Sequence, residues 1–264
     1  SRSGPSILGS QCAGASAAIL AVAAAGVFLA GAASAAVQPL VDAAWLKANL
    51  ANPALVVLDI RDPEQQGQPD PYLAGHIPGA SNTGYATDPW RANIGGAPGM
   101  LPVVADIEKL IGRLGVDNKS HVVIVHHGNS SSDFGSATRV YWTFKVLGHD
   151  DVSILDGGMT AWKADRSNPI ETAVKTPAAK VFTAKYRPEL RATTAEVETA
   201  VKAGGVTLVD ARPAEQYLGD AKAPTVKEFG TLPGAINLEQ GKLVQADGVK
   251  AEQPVKVAAL MQSL

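Results

Sequence analysis

The chain has 264 residues, of which 46% are hydrophobic and 18% are charged, and its formal net charge is −2. This length suffices for two domains of ordinary size, and the apolar content suffices for packed cores. There is no basic block, which excludes nucleic-acid binding, because phosphate recognition needs a concentrated basic patch. The single cysteine, Cys12, excludes a disulfide framework or a cysteine-rich metal site within the chain.

The first 35 residues have the pattern of a signal peptide. Arg2 precedes an apolar run over residues 17–30, and Ala33-Ser34-Ala35 forms an A-x-A cleavage site. We therefore expect an exported, periplasmic protein that has no stable membrane association after cleavage. The alternative is an uncleaved anchor formed by residues 13–37, because the apolar run is nearly long enough to span a bilayer.

The chain that follows alternates between the two regular structures. Apolar periodicity predicts helices over 43–50, 105–114 and 137–147, strands over 56–60, 121–125 and 152–155, and a last helix that ends near 164. Residues 61–74 and 83–104 are predicted to be loops, since they are rich in turn-forming residues. This alternation indicates an α/β domain with a central parallel sheet and helices on both faces.

One short stretch occurs twice. Leu58-Asp59-Ile60-Arg61 ends one apolar run, and Val209-Asp210-Ala211-Arg212 ends another. The turn Gly75-His76-Ile77-Pro78-Gly79-Ala80 is echoed in the same way by Gly230-Thr231-Leu232-Pro233-Gly234-Ala235. The spacing is about 150 residues, whereas solenoid repeats have periods of roughly 20–50 residues. The duplication therefore indicates two domains of one fold.

The domain boundaries follow from where periodicity is lost. We predict a first domain over 38–167, a linker over 168–188 and a second domain over 189–264. In the second domain, Thr193-Thr194-Ala195-Glu196 has the form of a capping box and precedes a predicted helix over 195–203 and a predicted strand over 206–209. Residues 257–264 resemble residues 107–114, and no counterpart of the strand at 121–125 follows. We therefore expect the second domain to be incomplete.

The loop after the strand at 121–125 is the strongest candidate for an active-site loop, because it lies at the carboxyl end of a strand of the predicted parallel sheet. It precedes a helix, whose free backbone N–H groups and positive dipole end stabilise an anion or an anionic nucleophile. His126 and His127 lie there, but adjacent strand residues point to opposite faces, so we expect structural histidines and no metal. The serines at 130–132 lack the Gly-x-Ser-x-Gly pattern of a hydrolase.

Several further side chains have structural explanations. We expect His76 to be a hydrogen-bonded turn residue and Trp45, Trp142 and Trp162 to belong to the core. For the two Asp-x-Arg stretches two explanations remain open. The aspartate and arginine form a pair that fixes the neighbouring loops, or the arginine contacts a substrate.

Together these motifs resemble the tandem-domain rhodanese family, the thiosulfate and 3-mercaptopyruvate sulfurtransferases. The resemblance covers about residues 40–240. It is carried by both Asp-x-Arg stretches, both turns, Arg139-Val140-Tyr141-Trp142, Phe144, Leu147-Gly148-His149, residues 152–158 and Ala161-Trp162. It implies an α/β fold of two rhodanese-like domains, each a central parallel sheet flanked by helices, of which only the second is catalytic. It implies a small anionic sulfur donor, a thiol or cyanide acceptor and no cofactor.

In that family a loop cysteine takes a sulfane sulfur from the donor, forms a persulfide and passes the sulfur to the acceptor. The family's cysteine is the first loop residue, which in the first domain here is His126. The repeat offset would put the second domain's cysteine about 12 residues beyond Leu264. We therefore expect a C-terminally truncated chain that contains no catalytic residue and is inactive by itself.

The resemblance also assigns the supporting residues. It implies that Arg212 binds the anionic substrate and that Asp210, Asp59 and Arg61 support the site. Where the family often has a second arginine, this chain has Gln216. The resemblance therefore does not assign thiosulfate or 3-mercaptopyruvate as the sulfur donor. Two other functions also remain open. One is a non-catalytic rhodanese-like module that binds a partner or a small anion, and the other is phosphatase chemistry, which also needs a loop cysteine.

Overall fold

A computed structural model of the chain describes residues 37–245 and 250–252. The predicted signal peptide, almost all of the alternative anchor over 13–37 and the segment 257–264 lie outside the described residues. Within the described ranges, no helix is long and apolar enough to cross a membrane.

The helices and strands predicted over the first domain are present, and the predicted loop over 61–74 also contains a short helix, Pro71–Ala74. The strands are β1 (Leu40–Val41), β2 (Leu55–Asp59), β3 (Ser81–Asn82), β4 (Ala92–Ile94), β5 (Ala97–Met100), β6 (His121–Val125), β7 (Val152–Leu155), β8 (Val209–Asp210) and β9 (Ile236–Asn237). The α-helices are α1 (Ala43–Asn49), α2 (Pro71–Ala74), α3 (Val104–Arg113), α4 (Ser131–Val146), α5 (Gly158–Ala164), α6 (Thr194–Ala203) and α7 (Ala214–Leu218). Short 3₁₀ turns lie at Pro188–Leu190 and Gln240–Leu243.

A five-stranded parallel sheet forms the centre, which confirms the predicted fold class. Its strand order is β1-β7-β6-β2-β3, and every neighbouring pair in it is parallel. Residues of β2 alternate between two cores: Leu58 packs with the side chains of α3 and α4, and Val57 packs on the opposite face with Leu46 and Trp162. Both faces of the sheet are therefore covered, as near-continuous apolar strands require.

The segment 83–104 is not the simple loop that the sequence predicts. It contains the antiparallel hairpin β4–β5, and Trp90 within it is fully buried against Phe144. Trp90 also donates a hydrogen bond from its ring nitrogen to Thr83 (2.8 Å). A single tryptophan among turn residues has no periodicity, so only the tertiary packing identifies it as a core residue.

Helix α4 begins six residues earlier than the predicted start at 137. Ser130 is its N-cap and accepts a hydrogen bond from the backbone N–H of Asp133 (3.2 Å). Serine is a favoured N-cap because its oxygen satisfies an N–H group of the first turn. The loop between β6 and α4 is therefore only five residues long, 126–130.

The segment predicted to be a linker, 168–188, lies against the first domain. Phe182 is 4% exposed and belongs to the core on the α3 and α4 side of the sheet. The N–H of Lys180 donates to the carbonyl of Gly112 (2.9 Å), where a β-carbon would lie 2.4 Å from the carbonyl oxygen of Lys180. Glycine at 112 thus permits this close approach of the two backbones.

The second copy of the repeat begins the same fold. Strand β8 pairs in parallel with β9, as β2 does with β3, and Asp210 lies opposite Asn237 as Asp59 lies opposite Asn82. The predicted capping box is present, with Thr193 and Glu196 bonded reciprocally. The predicted strand over 206–209 is shorter and later, Val209–Asp210. Val209, whose counterpart Leu58 is fully buried, is 42% exposed.

Candidate functional site

The two Asp-x-Arg stretches form the same side-chain pair in both copies. Arg61 donates from Nε and Nη2 to the two carboxylate oxygens of Asp59 (2.8 and 2.7 Å) and from Nη2 to the carbonyl of Gly75 (2.9 Å). Both side chains are buried, at 3% and 1% exposure. Because the guanidinium of Arg61 binds both the carboxylate of Asp59 and the carbonyl of Gly75, it fixes the turn at Gly75 beside the end of β2.

Arg212 repeats these contacts in the second copy. It donates from Nε to Asp210 (2.9 Å) and from Nη2 to the carbonyl of Gly230 (2.8 Å), and Thr231 adds its hydroxyl to the same carboxylate (2.6 Å). The hydrogen bonds from Arg212 hold the pKa of Asp210 well below its usual range. Arg212 is more open than Arg61, with 35% of its side chain exposed. Among the described residues its Nη1 has no hydrogen-bond partner.

The loop between β6 and α4 closes around one carboxylate. Asp133, in the first turn of α4, accepts hydrogen bonds from the backbone N–H groups of His127 (3.1 Å) and Gly128 (2.7 Å). Its Oδ2 also lies 2.6 Å from Nδ1 of His126, which is fully buried. Burial raises the pKa of Asp133, but the hydrogen bonds from His126, Gly128 and His127 outweigh it, so the pKa lies below its usual value. The carboxylate is thus held as an anion.

The opposite side of the loop is held by α5. The carbonyl of His126 accepts from the N–H of Met159 (2.8 Å), and that of His127 accepts from the N–H of Thr160 (3.0 Å). Gly128 has φ +79°, and a β-carbon there would lie 1.9 Å from the carbonyl oxygen of Gly157. These contacts hold the loop with the N–H groups of His127 and Gly128 turned toward Asp133.

A polar groove of about 460 Å³ opens beside this loop. The 61–64 segment forms one wall: the carbonyl of Asp62 lies 2.8 Å from Nε2 of His127, and Glu64 contacts the amide of Asn129. Tyr85 and Ser136 also line the groove. The groove lies at the carboxyl ends of β2 and β6, where parallel sheets place their ligands.

Polar side chains of this region make hydrogen bonds that hold the local structure. Ser130 caps α4, and His76 is buried, with Nδ1 at 2.9 Å from the carbonyl of Tyr72 and its ring stacked on that tyrosine. In residues 37–245 and 250–252, no cluster of His, Cys, Asp or Glu could hold a metal. The loop over residues 126–130 contains no cysteine, so it offers no thiol as a nucleophile.

The predicted core tryptophans divide into two groups. Trp162 is fully buried, as expected, whereas Trp45 and Trp142 are only half-buried. Sequence reasoning missed Asp133 altogether. The pattern that could have found it is Ser130-x-x-Asp133, a serine N-cap followed three residues later by an acid.

Comparison with known proteins identifies the first copy as a rhodanese-like domain, matched over residues 42–165. The chain is 34% identical to thiosulfate sulfurtransferase of Gallus gallus, over 76% of this chain and 70% of that protein. It is 30% identical to thiosulfate sulfurtransferase of Bos taurus, over 86% and 77%. It is 29% identical to 3-mercaptopyruvate sulfurtransferase of Escherichia coli K12, over 80% and 74%.

Solved structures give the same fold. SseA of Escherichia coli, described as having the rhodanese fold, superposes with a TM-score of 0.72 at 25% identity and covers 86% of this chain and 83% of its own. EanB superposes with a TM-score of 0.67 at 20% identity, over 85% of this chain and 56% of EanB, and supports the fold alone.

Proposed function

This chain belongs to the rhodanese family of sulfurtransferases, and we propose that it moves a sulfane sulfur from thiosulfate or 3-mercaptopyruvate to a thiol or cyanide acceptor through a cysteine persulfide. The first copy serves as the scaffold, because its loop has His126 at the position of the nucleophile. The reacting cysteine belongs to the equivalent loop of the second copy. The offset of 151 residues from Asp59 to Asp210 puts that loop near position 276.

The observation that carries this proposal is the anion held by the loop of the first copy. Two backbone N–H groups, of His127 and Gly128, converge on the carboxylate of Asp133. A thiol in the same setting has a lowered pKa, because the N–H groups and the helix terminus favour its charged form. A cysteine in a second loop of this build would therefore be a thiolate at neutral pH.

The proposed reaction has two displacement steps. The cysteine thiolate attacks the sulfur atom that the donor transfers, so that a sulfur–sulfur bond forms and the bond from that sulfur to the rest of the donor breaks. The rest of the donor leaves with the bonding electron pair, as sulfite from thiosulfate, or as the enolate of pyruvate from 3-mercaptopyruvate, which then takes up a proton from water. The acceptor, a thiolate or cyanide, then attacks the outer sulfur of the persulfide and the cysteine thiolate leaves. The protein's part is to hold the negative charge on the sulfur atom and to orient the donor.

We propose that Arg212 binds the anionic sulfur donor. Its Nε and Nη2 donate hydrogen bonds to Asp210, so Nη1 is left to bind a sulfonate or carboxylate oxygen of the donor. Gln216, half-buried in the first turn of α7, replaces the second arginine that the family often has at this position. Because the side-chain amide of Gln216 carries no charge, we expect doubly charged thiosulfate to bind more weakly than it would to a pair of arginines.

We further propose that the protein is exported to the periplasm and that residues 1–35 are removed. The support is the A-x-A site before Ala36. N-terminal sequencing of the protein from its native cell tests this. A mature chain that starts at Ala36 is the expected result, and a chain that retains residues 13–37 would instead favour the anchor.

The decisive experiment is to sequence the full gene and to assay its product. We expect a cysteine near position 276 and thiocyanate release from thiosulfate or 3-mercaptopyruvate with cyanide. A thiol-alkylating reagent and a Cys→Ser variant should both abolish turnover. A full-length protein that lacks the cysteine and releases no thiocyanate would instead support the non-catalytic binding module.

A further inference from the structure

His149 is a titratable side chain that the core of the first copy encloses. It follows the end of α4 and is 4% exposed. Its ring lies between two phenylalanine rings, with its centre 5.5 Å from that of Phe144 and 5.6 Å from that of Phe182. Among the described residues, Nε2 of His149 is buried and has no hydrogen-bond partner. A neutral imidazole fits this setting, whereas an imidazolium would bury a charge and an N–H donor that has no acceptor.

No described carboxylate binds Nε2 of this ring. The charged and titratable side chains on the surrounding elements are Glu108 on α3, Asp117 and Lys119 before β6, His121 on β6, Lys145 on α4, Asp150 and Asp151 before β7, and Lys180, Lys185 and Arg187 on the segment that carries Phe182. Asp150 is already paired with Lys145 and Arg187, and Asp117 with Lys180. A proton on Nε2 would therefore lack a partner for as long as the two phenylalanines cover it.

This enclosure makes the ring sensitive to acid. Burial lowers the pKa of His149, and the charges of Asp151 and Asp150 and the backbone carbonyls of Ser120 and Asp151 counteract this only in part. Because the pKa of the enclosed ring lies below the unfolded value of about 6.5, the stability of the enclosure is fully present above about pH 6.5. It is lost as pH falls from there toward the folded pKa, so acid favours any state in which water reaches the ring.

The part of the enclosure that opens most easily is residues 180–187, which we call the strap. The strap carries Phe182 and contains no helix or strand, whereas Phe144 belongs to α4. Backbone N–H groups hold the strap on the first copy: Lys180 donates to the carbonyl of Gly112 (2.9 Å), Lys185 to that of Leu147 (2.8 Å) and Arg187 to that of Val146 (2.7 Å). Irregular segments open at a lower free energy than the helices and strands of a core.

We propose that His149 is an acid-sensitive switch, which keeps the strap on the first copy while its ring is neutral and releases the strap when the ring is protonated. Release withdraws Phe182 from the core and lets water hydrate the imidazolium. The strap leads through the 3₁₀ turn at Pro188–Leu190 into α6, so its release loosens the attachment of the second copy to the first. This switch does not depend on the sulfur-transfer reaction.

Hydrogen–deuterium exchange of the purified chain at pH 7.5 and pH 5.5, corrected for the intrinsic effect of pH on exchange, tests the proposal. The ring titrates near pH 6.5 when the strap is open, so we expect the protection of the strap amides to fall several-fold, up to about tenfold, at the lower pH. The protection of residues 121–125 in β6 should change less than about twofold, because β6 lies in the core. An equal loss in both segments would show a global destabilisation and overturn the switch, as would an unchanged strap.

Three variants separate this histidine from the others. His149→Leu cannot titrate and keeps an apolar side chain between the two rings, so its strap should have the same protection at both pH values. His121→Gln is the matched control, because it removes the histidine whose charge interacts with that of His149 and keeps a donor for Ser153. Its strap should open in acid as that of the parent does.

Phe182→Ala provides a second test that does not depend on the folding of His149→Leu. It removes the side chain that covers His149, so the strap should be equally open at both pH values. Acid opening that persists in His149→Leu or in Phe182→Ala would overturn the proposal. Acid opening that is lost in His121→Gln would assign the effect to the other histidine and overturn it as well.

Discussion

Nδ1 of His126 lies 2.6 Å from the Oδ2 atom of Asp133, in the loop between β6 and α4. The histidine is fully buried and the aspartate side chain is 14% exposed. In the first copy, the backbone N–H groups of His127 and Gly128 point to the same position, and the carboxylate of Asp133 occupies it. The hydrogen bonds of this loop to the carboxylate stabilise the first copy.

Removal of this carboxylate should destabilise the first copy. In Asp133→Ala the backbone N–H groups of His127 and Gly128 and the imidazole of His126 lose their acceptor, so we expect a loss of about 3 kcal/mol. Asp106→Ala is the control, because Asp106 occupies the same third helical position in α3 but is 63% exposed. Urea unfolding measures both variants, and an equal loss in the two would contradict the assigned role of the loop carboxylate.

The contribution of Asp133 should also depend on pH. Its pKa in the folded chain lies below the unfolded value of about 3.9, so its stabilisation is present above about pH 4 and is lost as pH falls through the folded pKa. We expect the difference in unfolding free energy between the parent and Asp133→Ala to shrink as pH falls from 6 to 3. A difference that stays constant over this range would show that the charge contributes nothing.

Gly128 should not tolerate any side chain. In Gly128→Ala the new β-carbon would lie 1.9 Å from the carbonyl oxygen of Gly157, at a φ of +79°. We expect a loss of about 3 kcal/mol or more, because both the backbone and α5 must shift. Gly135→Ala is the matched change in α4, where nothing lies within 4 Å, and it should stabilise the protein by about 0.5–1 kcal/mol. Thermal unfolding that ranks the two variants in the opposite order would contradict the loop geometry.

The sequence was sufficient for the regular part of the fold. Strands β2, β6 and β7 are continuous apolar runs, and α3 has strict helical periodicity, so local patterns predict both. The hairpin β4–β5 and the buried Trp90 were missed, because their positions depend on packing against α4 rather than on any periodic pattern. The segment 168–188 looked like a linker because its backbone pairs with the first domain without forming a regular element.

The site was predicted less completely than the fold. The duplicated Asp-x-Arg stretches pointed to Asp59, Arg61, Asp210 and Arg212, and the structure gives both pairs the same contacts with a turn carbonyl. Apolar periodicity does not show that a carboxylate seven residues after His126 returns to the loop, and the Ser130-x-x-Asp133 pattern marks only the start of the helix. That contact depends on where α4 begins, and the apolar period alone placed the start of α4 six residues too late.

The Arg61–Asp59 pair should contribute more to the free energy of unfolding than the Arg212–Asp210 pair. Arg61→Met leaves Asp59 charged and buried, so we expect a loss of about 3–5 kcal/mol. Arg212→Met removes a side chain that is 35% exposed, and we expect a loss of about 1–2 kcal/mol, confined to the second copy.

Tryptophan fluorescence separates the two effects, because Trp45, Trp90, Trp142 and Trp162 all lie in the first copy. Arg61→Met should lower the denaturant midpoint of the tryptophan signal, and Arg212→Met should leave it nearly unchanged. Equal shifts would show that both pairs stabilise a single cooperative unit.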